Sequence, residues 1–226
     1  MIKIILPAIL ILGLISCNAE KVKQENKNPL SLKIDQNEQS DFDLTQVNLN
    51  ENIDTLLASQ GIKFSTEKNN EPTILGLDTY VSTSERLLKF NGVSMSGKSS
   101  AKINQIIIHY NSTDHKIEMY ELKVFNKQPA NQLLSSLNHL FGKPSFEKSD
   151  TNPGSIALDE NGDEVKSSAG TKNIYKVWED DKTGNSYILI QTHAANGVSV
   201  ELTTLNRKSR FANDWISFRA FDWYKK

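Results

Sequence analysis

An apolar run near the N-terminus ends two residues before Cys17, the only cysteine of the chain. The run, residues 4–15, comes after a single positive charge at Lys3 and contains no charged residue. Its twelve residues are too few to cross a membrane as a helix, which takes about 20 apolar residues. A charged start and a short apolar run are typical of a secretory signal peptide. One cysteine cannot form a disulfide within the chain, and an unpaired cysteine in an exported protein requires another explanation.

The residues before Cys17 resemble the lipobox of bacterial lipoproteins. Leu14-Ile15-Ser16-Cys17 has a leucine, a variable position, a small residue and then the cysteine. The resemblance implies cleavage before Cys17, a diacylglycerol on its sulfur and an acyl chain such as palmitate on its amine. Residues 1–16 are then the signal peptide, and the acyl chains, at about 0.8 kcal/mol per buried methylene, anchor the protein to the membrane. The alternative is an ordinary signal peptide with a chance cysteine.

The residue after the cysteine bears on which membrane holds the protein. In lipoproteins of enteric bacteria an aspartate at this position retains the protein in the inner membrane, and here the residue is Asn18. The resemblance therefore implies the bacterial cell envelope, and the outer membrane rather than the inner one.

Composition divides the rest of the chain into a tether and a folded body. Residues 17–40 contain no aromatic residue and many Lys, Glu, Asn and Gln, so they cannot bury enough apolar surface to offset the entropy lost on ordering. We predict a lipidated cysteine and flexible tether there, and then a globular domain over residues 41–226. A formal net charge of −1 and 38% hydrophobic residues exclude a strongly basic nucleic-acid binder and a polytopic membrane protein.

Two segments have the pattern of helices. Residues 50–60 begin at Asn50, a suitable N-cap, and end before Gly61. Residues 129–141 carry five apolar residues at helical spacing, start with a proline and end before Gly142. Both are predicted helices.

Most of the remaining domain is rich in β-branched and aromatic residues, which favour strands. The predicted strands are residues 74–81, 86–90, 103–110, 116–125, 174–178, 187–192 and 198–204. Turn residues at 180–185 and at Asn161-Gly162 predict hairpins. The sequence therefore predicts an α+β fold with a mainly antiparallel sheet and two helices.

The order of these segments also fits an internal duplication. Helix, glycine, phenylalanine and strands occur in that order around Gly61 and again around Gly142. An α-β-β-β unit used twice, in halves 41–127 and 128–226, would give one sheet with helices on one face. The helix-Gly-x-Pro-strand layout of the second half resembles small outer-membrane assembly lipoproteins and β-lactamase-inhibitor-like domains.

Residues 92–99 match the P-loop pattern, GVSMSGKS. A phosphate site of this kind needs a helix directly after the loop, but residues 103–110 have a strand pattern. We therefore predict an ordinary loop between strands, without nucleotide binding.

No motif for catalysis or metal binding stands out. The four histidines include no pair four residues apart, as a helical zinc site requires. The acidic residues 159–164 place glycine fourth, where a calcium-binding EF-hand loop needs it sixth. No G-x-S-x-G nucleophile motif is present. We assign no catalytic residue, metal ligand or cofactor, and the enzyme class is less favoured.

Aromatic and basic residues are concentrated at the C-terminus. Trp215, Arg219, Trp223 and Tyr224 are the candidates for a surface that stacks on a glycan, a lipid headgroup or a partner protein. The alternative is that this segment completes the core with its aromatic side chains.

The sequence as a whole predicts a membrane-anchored cell-envelope lipoprotein whose folded domain binds or interacts without catalysis. Its expected partners are the membrane, through the lipid on Cys17, and an envelope protein or glycan. Nucleic acids and nucleotides are not expected partners. Two alternatives stay open. One is an envelope hydrolase with an unrecognised site, and the other is an immunity or inhibitor-type protein that uses the acidic residues 159–164.

Overall fold

Segments rich in β-branched and aromatic residues assemble into one large antiparallel sheet. In the computed structural model the described residues are 42–64, 76–99, 102–154, 156–161, 163–166, 170–219 and 224. They fall within the unit Glu38–Lys226. The predicted signal peptide, Cys17 and the tether therefore lie outside the described residues.

Eleven strands and three α-helices occur in the described part of the chain. The strands are β1 (Leu77–Ser82), β2 (Lys89–Phe90), β3 (Val93–Ser94), β4 (Gln105–Asn111), β5 (Ile117–Val124), β6 (Phe146–Asn152), β7 (Ile156–Leu158), β8 (Glu164–Lys166), β9 (Thr171–Asp180), β10 (Asn185–Ala194) and β11 (Gly197–Asn206). The helices are α1 (Ile53–Ser59), α2 (Lys127–Phe141) and α3 (Arg210–Phe218). None of these helices is long and apolar enough to cross a membrane.

Seven strands form the large sheet in the order β1-β4-β5-β11-β10-β9-β6, and every neighbouring pair is antiparallel. The pairs β2–β3 and β7–β8 form separate small hairpins. This arrangement confirms the predicted α+β fold with a mainly antiparallel sheet. The expected number of two helices is corrected to three among the described residues.

The helices cover both faces of the sheet, because alternate residues of each strand point to opposite faces. Leu57 of α1 and Leu133 of α2 are fully buried in a cluster with Leu122 and Leu202 of the sheet. Helix α3 packs in a second cluster, where Trp215 lies with Ile188 of β10. The expectation that all helices lie on one face is therefore wrong: α3 lies on the other face.

Local signals explain where the two predicted helices begin and end. Helix α1 is capped by Asn52, whose side-chain oxygen accepts hydrogen bonds from the N–H groups of Asp54 and Thr55. The cap predicted at Asn50 is thus two residues too early. Helix α2 has Pro129 in its first turn and ends at Gly142, whose φ of 76° is one that L side chains rarely adopt.

Elements occur in the same order in the two halves. A helix and a strand precede a small hairpin and then further strands: α1, β1, β2–β3, β4 and β5, and then α2, β6, β7–β8, β9 and β10. Strands of each half are neighbours in the sheet, and the halves meet where β5 pairs with β11. The second half adds β11 and α3 to the expected α-β-β-β unit.

Candidate functional site

A groove lies between α2 and the β2–β3 hairpin, and its hairpin wall is held by a buried carboxylate. Asn91 and Gly92 form the two-residue turn, with φ values of 50° and 74°; such turns favour Asn-Gly. The Asp43 carboxylate accepts hydrogen bonds from the N–H of Asn91 at 2.9 Å and of Gly92 at 2.5 Å. Burial acts to raise the pKa of Asp43, but these bonds and those from Thr45 outweigh it and lower the pKa. Asp43 therefore fixes the turn in its ionised form.

A buried amide fixes the loop that joins this hairpin to β4. The side chain of Asn104 is fully buried; its amide nitrogen donates to the Met95 carbonyl at 2.8 Å, and its oxygen accepts from the Phe125 N–H at 2.8 Å. Asn126, the residue before α2, donates from its side chain to the Lys98 carbonyl. These bonds tie the loop to the start of α2, so both walls of the groove are held in place before any ligand arrives.

The wall formed by α2 is polar but almost uncharged. Solvent-facing helix surfaces usually carry charged residues, yet Lys127 is the only Lys, Arg, Asp or Glu among the fifteen residues of this helix. Gln128, Asn131 and Ser135 are exposed, and Gln132 is half-buried. The helix thus presents a row of amides and a hydroxyl, each of which can donate and accept hydrogen bonds.

The groove has a volume of about 590 Å³, which lies in the usual range for small-molecule sites of about 300–1,000 Å³. It is lined by Asn91, Val93, Lys127, Gln128, Asn131, Gln132, Ser135, Ser136 and His139. No carboxylate is among these lining residues. Most of the surface that these residues expose to the groove is apolar, and the polar groups set in it can hydrogen-bond to a ligand. Catalysis by paired carboxylates requires residues that the lining lacks, whereas His139 is of a type that can act as a general acid or base.

Two of the C-terminal residues predicted to form a binding surface, Trp215 and Tyr224, are buried. Trp215 is 3% exposed and Tyr224 is 8% exposed. The Tyr224 hydroxyl lies 2.7 Å from the Ser186 hydroxyl and donates to Glu179 at 3.1 Å. These two aromatic side chains belong to the core against β9 and β10, so they do not form an open binding surface. Trp223 lies outside the described residues.

Arg219 joins a charged cluster beneath the C-terminal end of α3. Its guanidinium donates to Glu121 at 3.0 Å and to Glu201 at 3.2 Å, and lies 5.4 Å from the centre of the Trp215 ring. Lys123 is 3.5 Å from Glu121, and His109 is 3.4 Å from it. Arg219 therefore attaches the helix to β5 and β11 instead of standing free for a ligand.

Glu121 is the most strongly perturbed acid of this cluster. Its side chain is 4% exposed. Burial acts to raise the pKa of Glu121, but His109, Arg219 and Lys123 outweigh it and lower the pKa to about 2. Glu121 is therefore paired with the cations Lys123 and Arg219 and is not an isolated buried charge.

The P-loop-like residues 92–99 contain β3 and a loop, and the next strand or helix in the described part of the chain is β4. This confirms the strand predicted after the motif. A phosphate site of the P-loop kind is completed by a helix N-terminus, and among the described residues a strand stands in that place.

Histidines and acidic residues are also held in separate contacts. His115 lies 2.8 Å from Asp54, and Asp114 lies 3.3 Å from Lys116. Asp159 closes the β7–β8 turn by accepting from the N–H groups of Asn161 and Asp163. In the described part of the chain, no three His, Cys, Asp or Glu side chains converge where they could hold a metal ion.

Comparison with protein-family models, with curated proteins and with solved structures finds no match to this chain.

The groove was not predicted from the sequence, because none of its lining residues indicates a binding site when taken alone. The signal that could have found it is the charge-poor polar face of the helix predicted over residues 129–141. Asn131, Gln132 and Ser135 recur at helical spacing, and residues 129–141 contain no Lys, Arg, Asp or Glu, whereas a helix that only faces water usually carries Lys and Glu there.

Proposed function

We propose that this protein is a lipid-anchored cell-envelope protein whose folded domain binds a polar partner in the α2 groove without catalysis. The observation that carries the proposal is the groove itself: its surface is mostly apolar, with amides and hydroxyls of α2 set in it, and its walls are fixed by Asp43 and Asn104. Walls that are already fixed favour binding because less ordering is needed when the partner arrives. The lack of a carboxylate among the lining residues argues against a hydrolase that would use paired carboxylates in this groove.

The anchor is tested at the cysteine. Wild-type protein from cell membranes should carry acyl groups on Cys17 at its mature N-terminus, whereas Cys17→Ser should remain uncleaved or become soluble. Mass spectrometry of the N-terminal peptide and fractionation of the cells measure both. An unmodified N-terminal peptide in the wild-type protein would exclude the lipoprotein assignment.

The groove is tested by photocrosslinking in intact cells. A photoreactive residue in place of Ser135 should capture a discrete partner, while the same residue at Lys182, an exposed turn position, should not. Adding Asn131→Ala beside the Ser135 probe should reduce capture about tenfold if that amide is a central contact worth about 1.4 kcal/mol. Equal capture at both probe positions contradicts the groove as the binding site.

The same captured partner separates binding from catalysis. Incubating the purified partner with purified protein should leave the mass of the partner unchanged. A change in mass would favour the envelope hydrolase. Since Asn131 is exposed, its replacement should alter the free energy of unfolding by no more than about 0.5 kcal/mol, so that loss of capture cannot be attributed to unfolding.

A further inference from the structure

Strand β6 is the last strand at one side of the large sheet in the part of the chain that the structure describes. In the described part of the chain it pairs only with β9, through seven consecutive residue pairs from Phe146–Val177 to Asn152–Thr171 without a bulge. Six of its seven residues are exposed, from Glu147 to Asn152. In an antiparallel ladder alternate N–H and C=O groups point away from the existing neighbour. From Glu147 to Asn152 these outward groups face no further strand in the described part of the chain.

Most natural edge strands are protected against pairing by proline, by bulges or by charged residues. Within β6 there is no proline and no glycine, and its pairing with β9 is regular. Only charge remains as protection, and the charges of β6 alternate in sign along one face. Lys148 lies 3.3 Å from Asp150 on the same strand, with exposed side-chain fractions of 43% and 60%.

This charge pattern is complementary to itself in one register. Two antiparallel copies of β6 overlap fully when Ser149 lies opposite Ser149 of the second copy. Lys148 then lies opposite Asp150 of that copy, and Asp150 lies opposite Lys148, so opposite charges meet twice. A slip by two residues in one direction brings Lys148 opposite Lys148, and in the other direction Asp150 opposite Asp150. Slips by one residue turn side chains to the wrong face.

We propose that β6 is the self-association surface of this protein, on which a second copy adds its own β6 antiparallel about a two-fold axis at Ser149. The register of greatest overlap is also the register of matched charge, which is the basis for choosing a second copy over an unrelated strand. A seven-residue ladder is small beside a standard interface of about 1,600 Å². An anchor that confines the copies to one membrane raises their effective concentration, so the test belongs in intact cells.

Cysteine crosslinking of the full chain tests the register directly. Ser149→Cys places two thiols opposite each other, where Cβ atoms are about 4.5–5.5 Å apart and a disulfide forms with little adjustment. Glu147→Cys and Thr151→Cys are matched controls: each alone leaves its two thiols about 13 Å apart along the strands. Co-expression of those two controls brings Cys opposite Cys again. We expect a disulfide-linked dimer from Ser149→Cys and from the mixture, roughly tenfold above either control alone.

Charge reversal tests the partner. In the Ser149→Cys background, Lys148→Glu or Asp150→Lys alone should abolish the dimer, and co-expression of the two reversed chains should restore it as a heterodimer. All these positions are exposed, so the fold is retained. Any dimer through Cys17 appears equally in the unmodified chain and is subtracted. Membrane fractionation of the same cells reports the anchor separately.

Three results would overturn the proposal. If Ser149→Cys crosslinks no more strongly than Glu147→Cys, the proposed register is wrong. If the dimer still forms after either single charge reversal, the proposed pairing of Lys148 with Asp150 of the second copy is wrong. An adduct whose mass is not that of two chains shows that another protein pairs with β6.

Discussion

Trp215→Ala should lower the free energy of unfolding by about 3–5 kcal/mol, the usual cost of truncating a buried tryptophan to alanine. Trp215 is 3% exposed and lies in the core cluster between α3 and the sheet, together with Ile188 and Leu205. The substitution leaves a cavity there and removes the aromatic ring that the Arg219 guanidinium packs against. Urea melts of the full chain measure the loss.

Phe218→Ala is the matched control, because Phe218 belongs to the same helix and is 54% exposed. It should change the free energy of unfolding by only about 0.5 kcal/mol. Equal losses of unfolding free energy in the two variants would mean that both of these aromatic side chains of α3 are buried. A near-neutral result for Trp215→Ala would instead restore the aromatic binding surface predicted from the sequence.

Helices α1 and α2 and most strands with a buried face could be predicted from the sequence, because burial leaves a periodic trace, whereas α3 was not predicted as a helix. Helix α2 shows five apolar residues at helical spacing, and β4, β5, β10 and β11 contain regularly placed β-branched or aromatic residues. Strand β6 leaves no such trace. Six of its seven residues are exposed, so neither side chain alternation nor hydrophobicity marks it, and only pairing with β9 makes it a strand.

The roles of the C-terminal aromatics could not be read from composition. Both a core helix and a binding surface use Trp, Tyr and Arg, and only the position of α3 over β10 and β11 separates them. The same holds for the charged cluster. Arg219 lies 98 residues from Glu121 and 18 from Glu201, so their meeting depends on strand order rather than on any local pattern.

That cluster gives the protein an acid-sensitive component of stability. Glu121 has a pKa of about 2 in the folded chain, against an ordinary value of 4.5. A carboxyl whose pKa is lowered by folding contributes stability above its unfolded pKa, and this contribution is lost as pH falls through the folded pKa. Here the window runs from about pH 4.5 down to about pH 2, and at about 1.4 kcal/mol per pH unit the full contribution is roughly 3 kcal/mol.

Glu121→Gln should therefore be less stable than wild type by about 3 kcal/mol at pH 7, because Arg219 and Lys123 keep their charge while losing a carboxylate partner. By pH 3 this difference in the free energy of unfolding should shrink by about 2 kcal/mol. The wild-type carboxyl is then losing the stability that its lowered pKa provides, whereas glutamine does not titrate. Asp181→Asn is the control: Asp181 pairs with Arg207 but its side chain is 93% exposed, and an exposed ion pair contributes only about 0–1 kcal/mol. Denaturant melts of all three proteins at both pH values measure these differences. Parallel pH dependence of wild type and Glu121→Gln would show that Glu121 does not hold α3 to the sheet through its charge.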